Sequence, residues 1–399
     1  MTTLIIGATG NVGRHVTASL AGSGLPVRAL TRNPDSAGLP DGVQVVAGDL
    51  TDTESLRTAL DGVDSVFLLW PFHSADGAAP AIETIAKYAR RVVYLSAFSV
   101  RDDVSPPENG VWGEVEDLIR RSGVEWTFLR AGGFATNTLG WAQQIRSGDV
   151  VRAPYGGAQR SLIHEADIAA AAVAVLTGDG HAGRSHVLTG PATVSQADQV
   201  RIIGETIGRP LRFDEQPPEE ARAQMVANWG DEAFVDKALG HWASIVTAPE
   251  PVVDTVERLT GRPARTFADW AADHAAHFRS TRDVADAYVE ALRRGALAEA
   301  TPLLSPTMVR VAPLEGVAET VGLEAIMANA HRLTADYDIH EVTADGPLLG
   351  DGQFAVKFTF DQTHRPSGVR RTARKVTLYT VSGGRIVREE VAYVDPPAA

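Results

Sequence analysis

Through the first 130 residues, short apolar runs alternate with helix-length amphipathic stretches. The runs fall at residues 3–6, 27–31, 43–47, 65–69, 92–96 and 126–130, each about the length of a strand. This alternation predicts a parallel, doubly wound sheet, because parallel neighbours need a crossover and the helical stretches supply it. Residues 164–176 read as an Ala-rich helix, and residues 194–207 as another, ended by Gly208 and Pro210. Residues 267–278 and 283–294 carry the same helical period. From Phe354 onward the period changes to two. Gly383-Gly384, between residues 375–381 and 386–394, predicts a two-residue hairpin turn. Strands following strands after a helical region predict a separate α+β domain, so two domains are expected, residues 1–278 and 280–399.

Length agrees, since 399 residues exceed what one hydrophobic core organises. The charge division agrees too: residues 1–278 carry 23 basic and 34 acidic side chains, residues 279–399 carry 14 and 16. A net charge of −13 argues against a general grip on nucleic acid, which relies on clustered Lys and Arg. Small molecules are the expected partners. With no cysteine, disulfide scaffolds, thiolate metal sites and cysteine nucleophiles are excluded. The start MTTLIIGATG lacks the basic and long apolar regions of a signal peptide, and no apolar run approaches the ~20 residues of a membrane span. A soluble, cytoplasmic protein without membrane contact is expected.

Directly after the first predicted strand stands Gly7-Ala8-Thr9-Gly10-Asn11-Val12-Gly13, with a helix running on from Arg14. Glycines let the backbone approach a pyrophosphate, and the free amides at the helix start favour an anion. Gly7, Thr9, Gly10, Asn11, Val12 and Gly13 are therefore the expected dinucleotide-binding turn. The second strand ends on Thr31-Arg32-Asn33-Pro34 rather than on the acid that meets an unphosphorylated ribose. A guanidinium there suits a 2'-phosphate, so NADP(H) is the expected cofactor, held by Arg32 and Asn33. Asp49 and Leu50 follow the third strand; Asp49 has two roles open to it, bonding the adenine amino group or its own turn.

IIGATGNVG, VVAGDLTD, VVYLSAFS, RRSGVEWTFLRAGGFATN, HEADIAAAAVAVL and LTGPATVSQAD, in this order, resemble the NmrA-like atypical short-chain dehydrogenase/reductases over about residues 1–278. The resemblance implies an α/β Rossmann domain with a small substrate lobe, and either quinone or ketone reduction or dinucleotide sensing without catalysis. Typical relatives carry a Tyr that protonates a carbonyl oxygen and, four residues later, a Lys that lowers its pKa. Taking Glu116 as the acid beyond that pair puts Glu108 and Trp112 at the two positions.

Ser96 matches the family's serine at the end of the fifth strand. His73, after the fourth strand, is the nearest group by topology that titrates near neutral pH. Both are candidate catalytic residues, and Glu116 is expected as an exposed helix carboxylate. Trp112, Phe134, Asn137 and Trp141 would flank the nicotinamide side of such a fold, which points to a small aromatic or quinoid substrate.

RDVADAYVEALRRGALAEATPLL, VGLEAIMANA, FAVKFTF and KVTLYTVSGGRIVREEVAYV resemble the SnoaL-like polyketide-cyclase family, which implies a cone-shaped α+β barrel over residues 280–399. Such domains hold a ligand, catalyse cofactor-free acid-base chemistry, or only dimerise, so a homodimer through this segment is among the implied partners. With Gly383 and Gly384 as the turn, Leu378 faces Glu389, Val376 faces Val391 and Thr380 faces Val387. Glu389 then sits among apolar neighbours, where burial would raise its pKa and make it a candidate proton shuttle; a rim position or an ion pair with an arginine of residues 365–374 is the alternative. Phe354, Val356, Phe358 and Phe360 share one face, core first and pocket wall second. His331, His340 and His364 lack metal-site spacing, and no metal is expected.

The expectation is an NADPH-dependent reductase of a ketone or quinone in an aromatic, polyketide-like molecule, working without the Tyr/Lys pair. Its alternatives are a non-catalytic NADP-sensing regulator and cyclase or isomerase chemistry in the C-terminal domain.

Overall fold

The computed structural model describes residues 2–315 and 317–395. It separates into two compact units: residues up to Thr138 with Arg152–Ile202 and Phe213–Trp270, and Leu139–Val151 with Ile203–Arg212 and residues from Ala271 onward.

The first unit is built on β1 (Thr2–Ile6), α1 (Gly13–Gly22), β2 (Val27–Thr31), β3 (Gln44–Ala47), α2 (Thr53–Leu60), β4 (Val63–Leu69), α3 (Ala78–Tyr88), β5 (Arg91–Ala97), α4 (Gly110–Arg121) and β6 (Glu125–Ala131). With the later strand Arg184–Leu188 they form a seven-stranded sheet in the order β3-β2-β1-β4-β5-β6 and then Arg184–Leu188. Every pairing in it is parallel. Strands covered on both faces need apolar side chains on both. Accordingly Val92 and Tyr94 of β5 join the core beneath α2, α3 and α4, while Val93 and Leu95 join the opposite core with α1 and the helix Glu165–Thr177. The strand order reverses between β1 and β4, and in open α/β sheets ligands bind at the carboxyl ends of the strands beside that reversal.

Two helix boundaries differ from expectation. Val194 and Ser195 pair with Arg160 and Gln159 as a two-residue strand, and the helix begins at Gln196. The reason is local: Ser195 Oγ accepts from Asp198 N at 3.0 Å and donates to Asp198 Oδ2 at 2.6 Å, which starts a helix after Ser195. The stretch 267–278 is two helices, Phe267–Asp273 and Ala275–Phe278.

The second unit carries a six-stranded mixed sheet in the order Glu319–Val321, Leu304–Val311, Arg385–Tyr393, Val369–Ser382, Gln353–His364, Tyr337–Leu349. Its pairings are antiparallel except that of Leu304–Val311 with Arg385–Tyr393. The helix Thr281–Arg293 opens on a capping box between Ser280 and Asp283 and places Val284, Tyr288 and Val289 in the core with Phe354, Val356 and Phe358. The hairpin turns at Gly383-Gly384 as expected, with Ser382 facing Arg385 and Val381 facing Ile386. The register then shifts by one: Thr380 faces Arg388, Tyr379 faces Glu389 and Thr377 faces Val391. This corrects the pairings expected for Leu378, Val376 and Thr380. A bulge at Val387 is the cause, and it keeps both Ile386 and Glu389 on the buried face.

Candidate functional site

Between β1 and α1 the chain turns with Gly7 at φ +85°, a conformation that side chains resist. Gly10 N donates to the Gly7 carbonyl oxygen at 3.0 Å. A Cβ on Gly13 would stand 2.0 Å from that same oxygen, so only glycine lets α1 start this close to the turn. Thr9, Gly10 and Asn11 are exposed, whereas the Val12 side chain is buried in the core. No side chain caps the start of α1. An open backbone cradle at an uncapped helix start is what a pyrophosphate needs, so the residues present fit a dinucleotide. Arg14, which the sequence reading passed over, lies along the turn: its Nη2 donates to the Thr9 carbonyl oxygen at 3.0 Å.

At the end of β2, Arg32 and Asn33 are exposed, and Thr31 Oγ1 accepts from Asn33 N at 3.2 Å. Asp49 serves its own turn, Oδ1 accepting from Thr51 N at 2.8 Å and Thr51 Oγ1 at 2.7 Å. Those bonds, with the nearby charge of Arg32, hold its carboxyl below the usual range against partial burial. Leu50 is a buried core residue.

Beyond β4, beside β1 in the sheet, Trp70 Nε1 donates to the Ser74 carbonyl oxygen at 2.9 Å and its ring meets Phe72 edge-on. His73 is exposed, with its ring 5.5 Å from Phe234, which in turn lies 5.7 Å from Trp229. Trp229 ends one helix (Pro218–Trp229) and Phe234 begins the next (Glu232–Ser244). His73, Trp229, Asp231 and Phe234 line a cavity of about 230 Å³.

At the end of β5, Ser96 Oγ donates to Glu116 Oε1 at 2.6 Å. Glu116 is fully buried, which corrects the expectation of an exposed helix carboxylate. Cations hold it there: Arg130 of β6 donates to Oε1 at 3.0 Å and to Oε2 at 2.7 Å, and Arg120 donates to Oε2 at 3.0 Å. Arg130 also reaches Asp102 at 2.6 and 3.1 Å and keeps that carboxyl below its ordinary range. A buried charge is tolerated only when paired in this way. The Tyr94 phenol, two residues before Ser96, is buried without a hydrogen-bond partner; burial first, then the charge of Glu116, pushes its pKa far up.

The four expected substrate residues have different surroundings. Trp112 packs on the core beneath α3 and α4, Phe134 on the core of the opposite sheet face, and Asn137 is exposed. Trp141 is half-buried and belongs to the second unit. Glu108 accepts from Ser105 N at 2.9 Å and Ser105 Oγ at 2.5 Å, bonds that lower its pKa.

In the second unit Glu389 is buried and paired with Arg310, not with an arginine of residues 365–374. Arg310 also holds Glu315 at 2.7 Å, and Glu315 accepts from the Tyr393 hydroxyl. The facing residue Tyr379 stacks on Phe354 at 4.8 Å and meets Tyr288 at 5.2 Å; burial pushes both phenols up.

The NAD(P)H-binding family model matches residues 7–179, and the SnoaL-like domain model matches residues 285–389. The chain is 42% identical over 285 residues to the (4-alkanoyl-5-oxo-2,5-dihydrofuran-3-yl)methyl phosphate reductase of Streptomyces griseus, covering 69% of this chain and 98% of that one. The chain belongs to the NmrA-like NAD(P)H-dependent reductases. This reductase is also 36% identical to the NAD(P)H azoreductase of Xenophilus azovorans over 69% of its own length and 98% of the relative. The NADPH-dependent quinone oxidoreductase of Escherichia coli shares its fold, with a TM-score of 0.57 at 24% identity over 68% of this chain and 98% of that one. NAD(P)H is thus the cofactor of an NmrA-like reductase that carries a SnoaL-like domain at its C-terminal end. Among the described residues no helix is long and apolar enough to cross a membrane.

Proposed function

We propose that this reductase delivers hydride from NADPH to a flat, conjugated, electron-poor acceptor, a quinone or an acyl-furanone of polyketide type. The observation that carries the reading is the state of Ser96, whose single hydroxyl proton is already donated to a buried carboxylate. Ser96 therefore accepts from a ligand more readily than it donates to one. Neither Glu108 nor Trp112 supplies the acid that an isolated ketone requires, and the Tyr94 phenol sits inside the core with its proton held.

A conjugated acceptor removes the need for that acid. Hydride adds at one end of the conjugated system, the charge spreads onto a distant oxygen or nitrogen, and water protonates the anion afterwards. The named substrates of the Streptomyces and Xenophilus relatives, an acyl-furanone and an azo compound, are both of this kind.

The bound dinucleotide supplies the hydride; the chain's residues orient both partners. The turn at residues 7–13 holds the pyrophosphate, and the exposed Arg32 favours a 2'-phosphate. The aromatic cavity of Trp229, Phe234 and His73 takes the flat acceptor; a cavity of about 150 Å³ already holds a benzene ring, and this one is about 230 Å³. His73, exposed at its edge, flanks the acceptor while water supplies the proton.

The test is a single turnover with NADPH deuterated at the transferred position and an acyl-furanone. Deuterium on the ring carbon conjugate to the carbonyls is the expected result; deuterium on a carbinol carbon would refute conjugate addition.

A further inference from the structure

Among the described residues, Arg160 is a mostly buried cation whose Nε hydrogen has no acceptor. Its side chain is 16% exposed, its Nε is buried without a hydrogen-bond partner, and its one ion pair, to Glu250 Oε1, is long at 3.8 Å. Glu250 is engaged elsewhere: Oε2 accepts from Ser161 N at 2.8 Å and Ser161 Oγ at 3.2 Å, and Oε1 is 2.8 Å from His241 Nε2. A guanidinium has five N–H donors in a planar fork, and leaving the buried Nε–H without an acceptor is costly.

The position of that fork is built into the fold. A Cβ on Gly133 would stand 2.1 Å from Arg160 Nη2 and 2.8 Å from its Cζ, so the guanidinium occupies a notch that the missing side chain of Gly133 leaves open. Gly133 lies two residues past Ala131, the last residue of β6, whose strand partner Ala97 follows Ser96. The notch therefore opens at the carboxyl ends of β5 and β6, the edge where a doubly wound sheet takes its ligands. Burial works against the charge on Arg160, and Glu250 only partly restores it.

We propose that Arg160 is an anion-recognition residue at the carboxyl edge of the sheet, binding through its fork a phosphate monoester or carboxylate carried by the substrate. This rests on the acceptor reading above and narrows it to acceptors with an oxyanion substituent. Two oxygens of such a group match the guanidinium fork, and the contact replaces the acceptors that the protein itself withholds.

The test is calorimetric titration of the full-length protein, saturated with NADP+ so that the cofactor's phosphates do not compete, with phenyl phosphate, benzoate and phenol. One or both anions should bind more tightly than phenol, the better of them identifying the oxyanion. Arg160→Met should weaken that anion by about 10- to 150-fold while phenol changes little, and Arg160→Lys should restore part of the loss. Because Arg160→Met removes a cation beside the buried Glu250, Arg160→Met/Glu250→Gln is measured alongside it; Gly133→Ala, which pushes the fork from its notch, should weaken the same anion. Retained NADP+ affinity reports the fold of each variant. Equal anion affinity in parent and Arg160 variants, or no preference for either anion over phenol, would overturn the proposal. Failure of the reductase reading itself would show separately, as absence of NADPH oxidation by any conjugated acceptor.

Discussion

Ser96 and Arg130 face each other across β5 and β6, and both bond the same oxygen of Glu116, Ser96 Oγ at 2.6 Å and Arg130 Nε at 3.0 Å. The end of β5 is thereby fixed by a buried charge network. Glu116→Gln removes the charge that balances Arg130 inside the core. It should lower unfolding stability by about 3 kcal/mol, whereas Ser96→Ala, which leaves the ion pair intact, should cost about 1.5 kcal/mol. Urea unfolding of the three proteins checks this; a Glu116→Gln loss no larger than that of Ser96→Ala would contradict it.

Arg32 is exposed at the end of β2 and close enough to Asp49 to influence its titration. A charge-assisted contact to a 2'-phosphate should give the parent a preference for NADPH over NADH of about 10- to 150-fold. Arg32→Asp should abolish or invert it by repelling the phosphate and offering the ribose hydroxyls an acceptor. Fluorescence titration at one fixed salt concentration measures both affinities; unchanged NADPH binding in the variant would remove Arg32 from the site.

Trp229 and Phe234 reach the cavity proposed for the acceptor from two consecutive helices, and Trp229 remains 46% exposed. An aromatic stack contributes about 0.5–1.5 kcal/mol. Trp229→Ala or Phe234→Ala should therefore raise KM for a naphthoquinone by about 2- to 10-fold with a smaller change in kcat. An equal fall in kcat with KM unmoved would place the rings in the chemistry rather than in binding.

His181 and His186 lie 5.3 Å apart, and burial lowers both pKa values from 6.5, helped at His181 by the charges of Arg184 and Arg91 and at His186 by those of His181 and Arg184. A histidine with a depressed folded pKa binds protons more readily when unfolded, so stability is full above 6.5 and declines as pH falls from there through the folded values. His186→Gln should flatten that decline. Thermal unfolding measured from neutral to mildly acidic pH tests it; an unchanged slope would assign the pH dependence to other groups.

What the sequence made legible was local. The glycine turn, the six alternating strands and the Gly383-Gly384 hairpin each depend on residues adjacent in the chain. The burial of Glu116 did not show because its partners Ser96 and Arg130 lie on two other strands, and alone it resembles any helix carboxylate. The register at Glu389 failed for a different reason: a single bulged residue, Val387, reverses the facing of the strand beyond it. Trp229 and Phe234 lie more than 150 residues from His73 in sequence, so only the fold joins them.

Conjugate hydride delivery without a side-chain acid can be read from NADPH absorbance with three acceptors: menadione, an acyl-furanone and cyclohexanone. Rapid oxidation with the first two and none above background with cyclohexanone is the predicted result. Comparable turnover of cyclohexanone, or tight NADPH binding with no oxidation by either conjugated acceptor, would contradict it.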